Sequence, residues 1–108
     1  HIETPEAVKN FDEIISVPGV DIAFIGPADL SVSMGYKAEG PSHPEVRAVI
    51  EDLIRRGREK GVLMGFMASG IDDIGRCEDL GVRYVTQVAS ALIMAKFKEM
   101  VRVGRRKG

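Results

Sequence analysis

Short apolar runs alternate with longer amphipathic stretches along this chain. Three runs, Asp21 to Ile25, Val62 to Ala68 and Arg83 to Ala89, have the length and composition of buried strands, and glycine or proline marks their joins. Between them apolar residues recur at helical spacing. Val8, Phe11, Ile14 and Ile15 share one face of a first helix, with Lys9, Asp12 and Glu13 turned to water. Thr4 is its expected N-cap and Pro5 its first residue, where the missing N–H costs nothing; Pro18-Gly19 ends it. Ser42 followed three residues later by Glu45 spells a capping box for a second helix. Its buried stripe is Val46, Val49, Ile50, Leu53 and Ile54, its solvated face is Glu51, Arg55, Arg56, Arg58, Glu59 and Lys60, and Gly61 is its stop. A third helix is expected from about Ile71 to Leu80, opened by Ser69 or the region of Asp72 and closed by Gly81. A last helix covers roughly Ala91 to Val103, before a basic tail of Arg105, Arg106 and Lys107 that should fray. Leu30 to Pro41 reads as a long connection, either a functional lid or a surface excursion. This order is βαβ organisation and predicts an α/β fold with a parallel sheet, in one structural unit.

Composition narrows the function. At 108 residues the chain has the size of a single domain, well short of the roughly 250 residues of a closed (β/α)8 barrel. Fifteen basic and sixteen acidic residues leave a net charge of −1, with no basic stripe, which argues against a nucleic-acid partner. No apolar run approaches the ~20 residues of a membrane span and the first residues show no signal-peptide pattern. A cytoplasmic protein without a membrane partner is the expectation. The lone Cys77 cannot form an internal disulfide, and its place between Ile74 and Leu80 makes it a reduced core residue.

The candidate chemistry lies in two carboxylates. Glu3 and Asp29 stand at the ends of successive strands, and in a parallel βα architecture those ends share the face where catalytic groups gather. Two anionic oxygen ligands from neighbouring strands suit a hard divalent cation and leave its other positions to water or a chelating substrate. Plainer roles exist for each. Glu3 could flank a helix N-terminus, and Asp29 could be a turn residue bonding its own backbone. Ser31 and Ser33 are either substrate-facing or polar surface, and His43 is a capping or exposed residue. Strand alternation turns His1 away from Glu3, so neither histidine is a candidate base.

Ile2-Glu3-Thr4, Val17-Pro18-Gly19-Val20-Asp21, Phe24-Ile25-Gly26-Pro27-Ala28-Asp29-Leu30-Ser31 and Met34-Gly35 together resemble the HpcH/HpaI aldolase/citrate lyase family, the metal-dependent class II pyruvate aldolases. The likeness runs through the whole chain and is strongest from residue 2 to 35. It implies that residues 1–108 are the C-terminal half-barrel segment of a (β/α)8 TIM barrel. Glu3 and Asp29 match the family's metal ligands, and Ala28 the residue whose backbone contacts substrate. The implied cofactor is Mg2+, Mn2+ or Co2+, which in the family chelates pyruvate and stabilises its enolate, and the implied form is a homo-oligomer. The implied reaction cleaves 4-hydroxy-2-oxo acids to pyruvate and an aldehyde. The family's catalytic histidine, its arginine and the glutamine preceding its metal-binding glutamate are expected ahead of residue 1, so no catalytic residue is assigned here. Thr86-Gln87-Val88-Ala89-Ser90 departs from the Gly and Asp common in relatives. A noncatalytic module that binds metal and small 2-oxo acids, or assembles with other subunits, is the alternative. An incomplete barrel also exposes an apolar concave face, onto which Met64, Phe66 and Val85 are expected to point, and unpaired edges. Marginal stability or self-association should follow.

Overall fold

Three short parallel strands carry the sheet in the computed structural model, which describes residues 1–106. They are β1 (Ile22–Ile25), β2 (Leu63–Met67) and β3 (Tyr84–Thr86), in the order β1-β2-β3. Phe24 lies opposite Gly65, and Phe66 opposite Val85. On the outer side of β1, Ile2 forms an isolated parallel bridge to Ile25. The sheet is open, as an arc of a barrel is.

The helices are α1 (Pro5–Lys9), α2 (Phe11–Ile15), α3 (Pro27–Ser33), α4 (Pro44–Glu59), α5 (Ile71–Leu80) and α6 (Ala89–Arg105), with a 3-10 turn at Gly40–Ser42. Thr4 caps α1, its Oγ1 accepting from the Ala7 N–H at 3.1 Å. The single first helix expected from the apolar spacing is instead broken at Asn10, whose backbone leaves helical geometry. Its apolar face survives the break, since Phe11 and Ile15 are both buried.

Two expectations about the β1–α4 connection need correction. The first residues of the expected Leu30–Pro41 connection, Leu30 to Ser33, are the end of a helix that opens at Pro27, because Pro27 fills the first position and buried Leu30 anchors the turn. The expected Ser42–Glu45 capping box does not form. Ser42 Oγ donates to the Glu39 carbonyl within the 3-10 turn, and His43 becomes the N-cap, its Nδ1 accepting from the Glu45 N–H at 3.2 Å. Tyr36 stacks on the His43 ring, with centroids 3.7 Å apart, and donates its hydroxyl hydrogen to Glu45. The remainder of the connection is thereby tied down.

The core lies between α4 and one face of the sheet. Val46, Ile50, Leu53 and Ile54 of α4 meet Ala23, Ile25, Met64 and Phe66, with Phe11, Leu30 and Cys77 closing the margins. Each large side chain buried this way contributes roughly 1.5–3 kcal/mol. Gly57 permits the close approach, for a Cβ there would fall 2.1 Å from Met64 Sδ. Gly61 and Gly81, at φ +72 and +79, end α4 and α5 in left-handed geometry. Arg56, expected only in solvent, sits 5.2 Å over the Phe11 ring and pairs with Asp12 at 3.0 Å.

Met64 and Phe66 therefore point towards the helices, as does half-buried Val85, and not towards the concave side. Strand alternation separates two faces but does not say which one helices cover, and in parallel sheets both are apolar. The concave side instead carries Ile22, Phe24, Leu63, Met67 and Tyr84, with Gly65 among them. Helix α6 buries none of its residues. The radius of gyration is 16.2 Å, against about 13 Å for a compact chain of this length. The basic end is helical through Arg105, with Arg106 as C-cap; Lys107 lies outside the described residues.

Candidate functional site

The Ile2–Ile25 bridge decides where the first acidic residue goes. Ile2 is buried, its N–H donates to the Phe24 carbonyl at 2.7 Å, and its own carbonyl accepts from the Gly26 N–H at 3.3 Å. Glu3 is thus delivered beside the C-terminal end of β1. There the chain turns through Gly26 into α3, whose first turn contains Ala28 and Asp29. Glu3 rests against Gly26 so closely that a Cβ at that glycine would be 2.7 Å from Glu3 Oε1. The absent side chain is what makes room for the carboxylate.

Glu3, Ala28 and Asp29 line one cavity of about 280 Å³ at the C-terminal rim of the strands, together with His1, Phe24 and Gln87. Met67, Val88 and Ala91 contribute more apolar wall. A cavity with few polar groups on largely apolar walls is the usual form of a small-molecule site. Glu3 is half-buried and Asp29 exposed.

His1 corrects two expectations. Its Nδ1 lies 2.9 Å from Glu3 Oε1, on the same side, because residues two apart on an extended segment face the same way. The position two before the glutamate, expected ahead of the chain, is residue 1 itself. Ser31 is neither substrate-facing nor surface. It is buried, and its hydroxyl donates to the Ala28 carbonyl at 2.6 Å, tightening the turn that carries Asp29. His43 serves as the cap of α4.

Sequence reasoning missed Gln87. Its Nε2 is buried without a hydrogen-bond partner, as is Thr86 Oγ1. Burial pushes the Cys77 thiol above its ordinary value, with Asp73 adding to the effect, so this core cysteine is a poor nucleophile.

The donor set can be tested against a cation. Among the described residues no group of three or more His, Cys, Asp or Glu side chains is placed to hold a metal ion. Glu3 and Asp29 both line the cavity wall, and two carboxylates are the donor type that a hard divalent ion keeping water or substrate as its other ligands would take. No helix in the described residues is long and apolar enough to cross a membrane.

Residues 1–104 match the HpcH/HpaI aldolase/citrate lyase family. Over 98 residues the chain is 44% identical to a 4-hydroxy-2-oxo-heptane-1,7-dioate aldolase of Escherichia coli, covering 91% of this chain and 37% of that protein. The protein of the same name from Klebsiella pneumoniae is 42% identical over the same shares. The chain thus spans little more than a third of the length of these relatives. A HpcH/HpaI aldolase/citrate lyase family protein from Burkholderia cenocepacia superposes with a TM-score of 0.86 at 25% identity, over 96% of this chain and 40% of that one. HpcH/HpaI aldolase from Desulfitobacterium hafniense gives 0.78 at 28%, over 94% and 40%.

Proposed function

Because this chain belongs to the HpcH/HpaI aldolase/citrate lyase family, we propose that it is the metal-binding segment of an aldolase, a carbon–carbon lyase that cleaves 4-hydroxy-2-oxo acids to pyruvate and an aldehyde. The observation that carries this reading is the convergence of Glu3, Ala28 and Asp29 on one cavity. Glu3 and Asp29 would hold Mg2+, Mn2+ or Co2+, which when bound supplies positive charge where negative charge develops on the 2-oxo acid.

The chain's own residues explain how such a ligand is held. Gly26 leaves space for the Glu3 carboxylate, and Ser31 secures the turn bearing Asp29. Ala28 lies in the first turn of α3, where backbone N–H groups have no intrahelical acceptor and can meet a ligand oxygen. Phe24, Met67 and Val88 give the cavity apolar walls, beside which charged contacts are stronger than in bulk water. Residues 1–108 then form one segment of a larger barrel domain of a cytoplasmic homo-oligomer. The histidine and arginine of the reaction come from a complementing segment.

Pyruvate release, followed with each of the three metals and with or without the complementing segment, tests the reading. Metal-dependent release only in the complemented sample is expected. Turnover by the chain alone would show the missing groups to be misplaced. Binding without turnover after complementation would favour a noncatalytic module. Asp29→Ala should lose metal-dependent binding of pyruvate in calorimetry while keeping its helical circular dichroism; unchanged metal affinity removes Asp29 from the site.

A further inference from the structure

His1 and Glu3 flank Ile2, whose N–H bonds to the Phe24 carbonyl and whose carbonyl accepts from the Gly26 N–H. The backbone between the two side chains is thus pinned, and residues two apart on an extended segment leave it on the same side. His1 Nδ1 lies 2.9 Å from Glu3 Oε1. An ionised carboxylate offers only lone pairs, so Nδ1 carries the hydrogen of this bond whatever the charge on the ring.

The imidazole is held on a second side. Its centroid is 5.1 Å from that of Phe24, and Phe24 in turn meets Tyr84 edge-on, with centroids 6.1 Å apart. Gly65 leaves room for those two rings, since a Cβ there would fall 2.7 Å from Phe24 Cδ2 and 3.1 Å from Tyr84 Cδ1. A row of aromatic side chains thus crosses the concave face from β3 to the cavity and ends at His1. Both His1 and Phe24 are on the cavity wall.

This arrangement has a consequence for Glu3. A free glutamate loses side-chain freedom when it takes up a cation, and that loss weakens binding. Glu3 is restrained beforehand, with its carboxylate against Gly26 and Oε1 bonded to His1. Hydrogen bonds from a second layer of residues are what orient carboxylates that ligate metals. Resting on the proposed placement of the cation at Glu3 and Asp29, we infer that His1 is a positioning residue, whose Nδ1–H holds the Glu3 carboxylate in the orientation that a divalent cation meets. It acts through Glu3 and is not itself a ligand. The bond is open to water, with side chains 66% and 35% exposed, so its effect falls below that of a buried partner.

Calorimetric titration of the full chain with Mn2+ and with Mg2+, in the absence of substrate, tests this. His1→Phe keeps a ring beside Phe24 and removes the donor; it should weaken both metals about three- to tenfold. His1→Asn places an amide N–H near the position of Nδ1 and should restore both affinities to within about twofold of the parent. Parent-like affinity in His1→Phe overturns the inference, and so does equal loss in the two variants. If that loss is larger for Mn2+ than for Mg2+, His1 is a ligand and not a positioning residue. In each of those cases the parent still binds Mn2+ and Asp29→Ala still does not, so the site at Glu3 and Asp29 stands. Failure of the parent to bind Mn2+ overturns the inference together with the reading beneath it.

Discussion

The two faces of the one sheet are in opposite states. On the helix side Met64 and Phe66 are 1% and 6% exposed, while on the concave side Leu63 and Tyr84 remain 49% and 48% exposed. Parallel sheets normally bury both faces, so the contrast shows a chain that completes one packing layer and leaves the second open. The completed layer sets the site. Ile2, Ile25 and Leu30 are buried in it, and they hold the segments on which Glu3 and Asp29 stand. Helix α6 belongs with the open face: Leu92, Ile93, Met94, Phe97 and Met100 are all exposed.

The sharpest way to break this contrast is to make matched truncations on the two sides. Phe11→Ala removes a fully buried ring and the surface under Arg56, and should cost about 3–5 kcal/mol in denaturant unfolding; Leu53→Ala should cost about 2–5 kcal/mol. Phe97→Ala, equally large in chemistry but more than half exposed, should stay within about 0.5 kcal/mol. A large loss at Phe97 in dilute monomer would mean that α6 is packed in solution. Gly57→Ala sharpens the same point from the other direction, since overpacking against Met64 should cost about 1–3 kcal/mol.

Association is the next effect in size. An exposed apolar face favours self-contact, so the chain should sediment above monomer mass at micromolar concentration, with weak hydrogen-exchange protection in β3. Placing lysine at both Leu63 and Phe97 should shift the distribution towards monomer without loss of helical signal. A rigid, protected monomer before any substitution would remove the argument from the open face.

What the residue pattern revealed follows the same division. Helix α4 was legible because sixteen residues span more than four turns, long enough for its stripe to be unambiguous, and Gly61 marks its end in the geometry that glycine favours. Helix α3 was not, because seven residues opening on Gly-Pro look like a turn; the signal present was Pro27 at the first position with an acidic Asp29 in the first turn. The capping box failed on a competing hydrogen bond, which drew Ser42 back to Glu39. Within the site, the shared rim of strand ends in a βα fold pointed to Glu3 and Asp29, and only the family resemblance pointed to Ala28; the three line one cavity. Gln87, on the wall of the same cavity, was not, for a single polar residue after a strand carries no periodicity. Which sheet face is covered was equally hidden in runs that are apolar on both sides.

The smallest effect concerns α5, which packs beside α4 on the covered side of the sheet. Burial acts to raise the Asp73 carboxyl, but hydrogen bonds from the Ser69 hydroxyl and N–H, with Arg76 and Arg47 nearby, outweigh it and hold the group below its ordinary value. A carboxylate lowered in the folded state stabilises fully above its unfolded pKa, near 4, and loses that contribution as pH falls through the lower folded value. Asp73→Asn should therefore cost about 1 kcal/mol or less at neutral pH, the scale of a lost helix cap in partly screened surroundings. The gap in thermal midpoint between the two proteins should close below about pH 4, as the parent protonates. A gap that persists into acid would assign the stabilisation to side-chain shape at the start of α5 and not to charge.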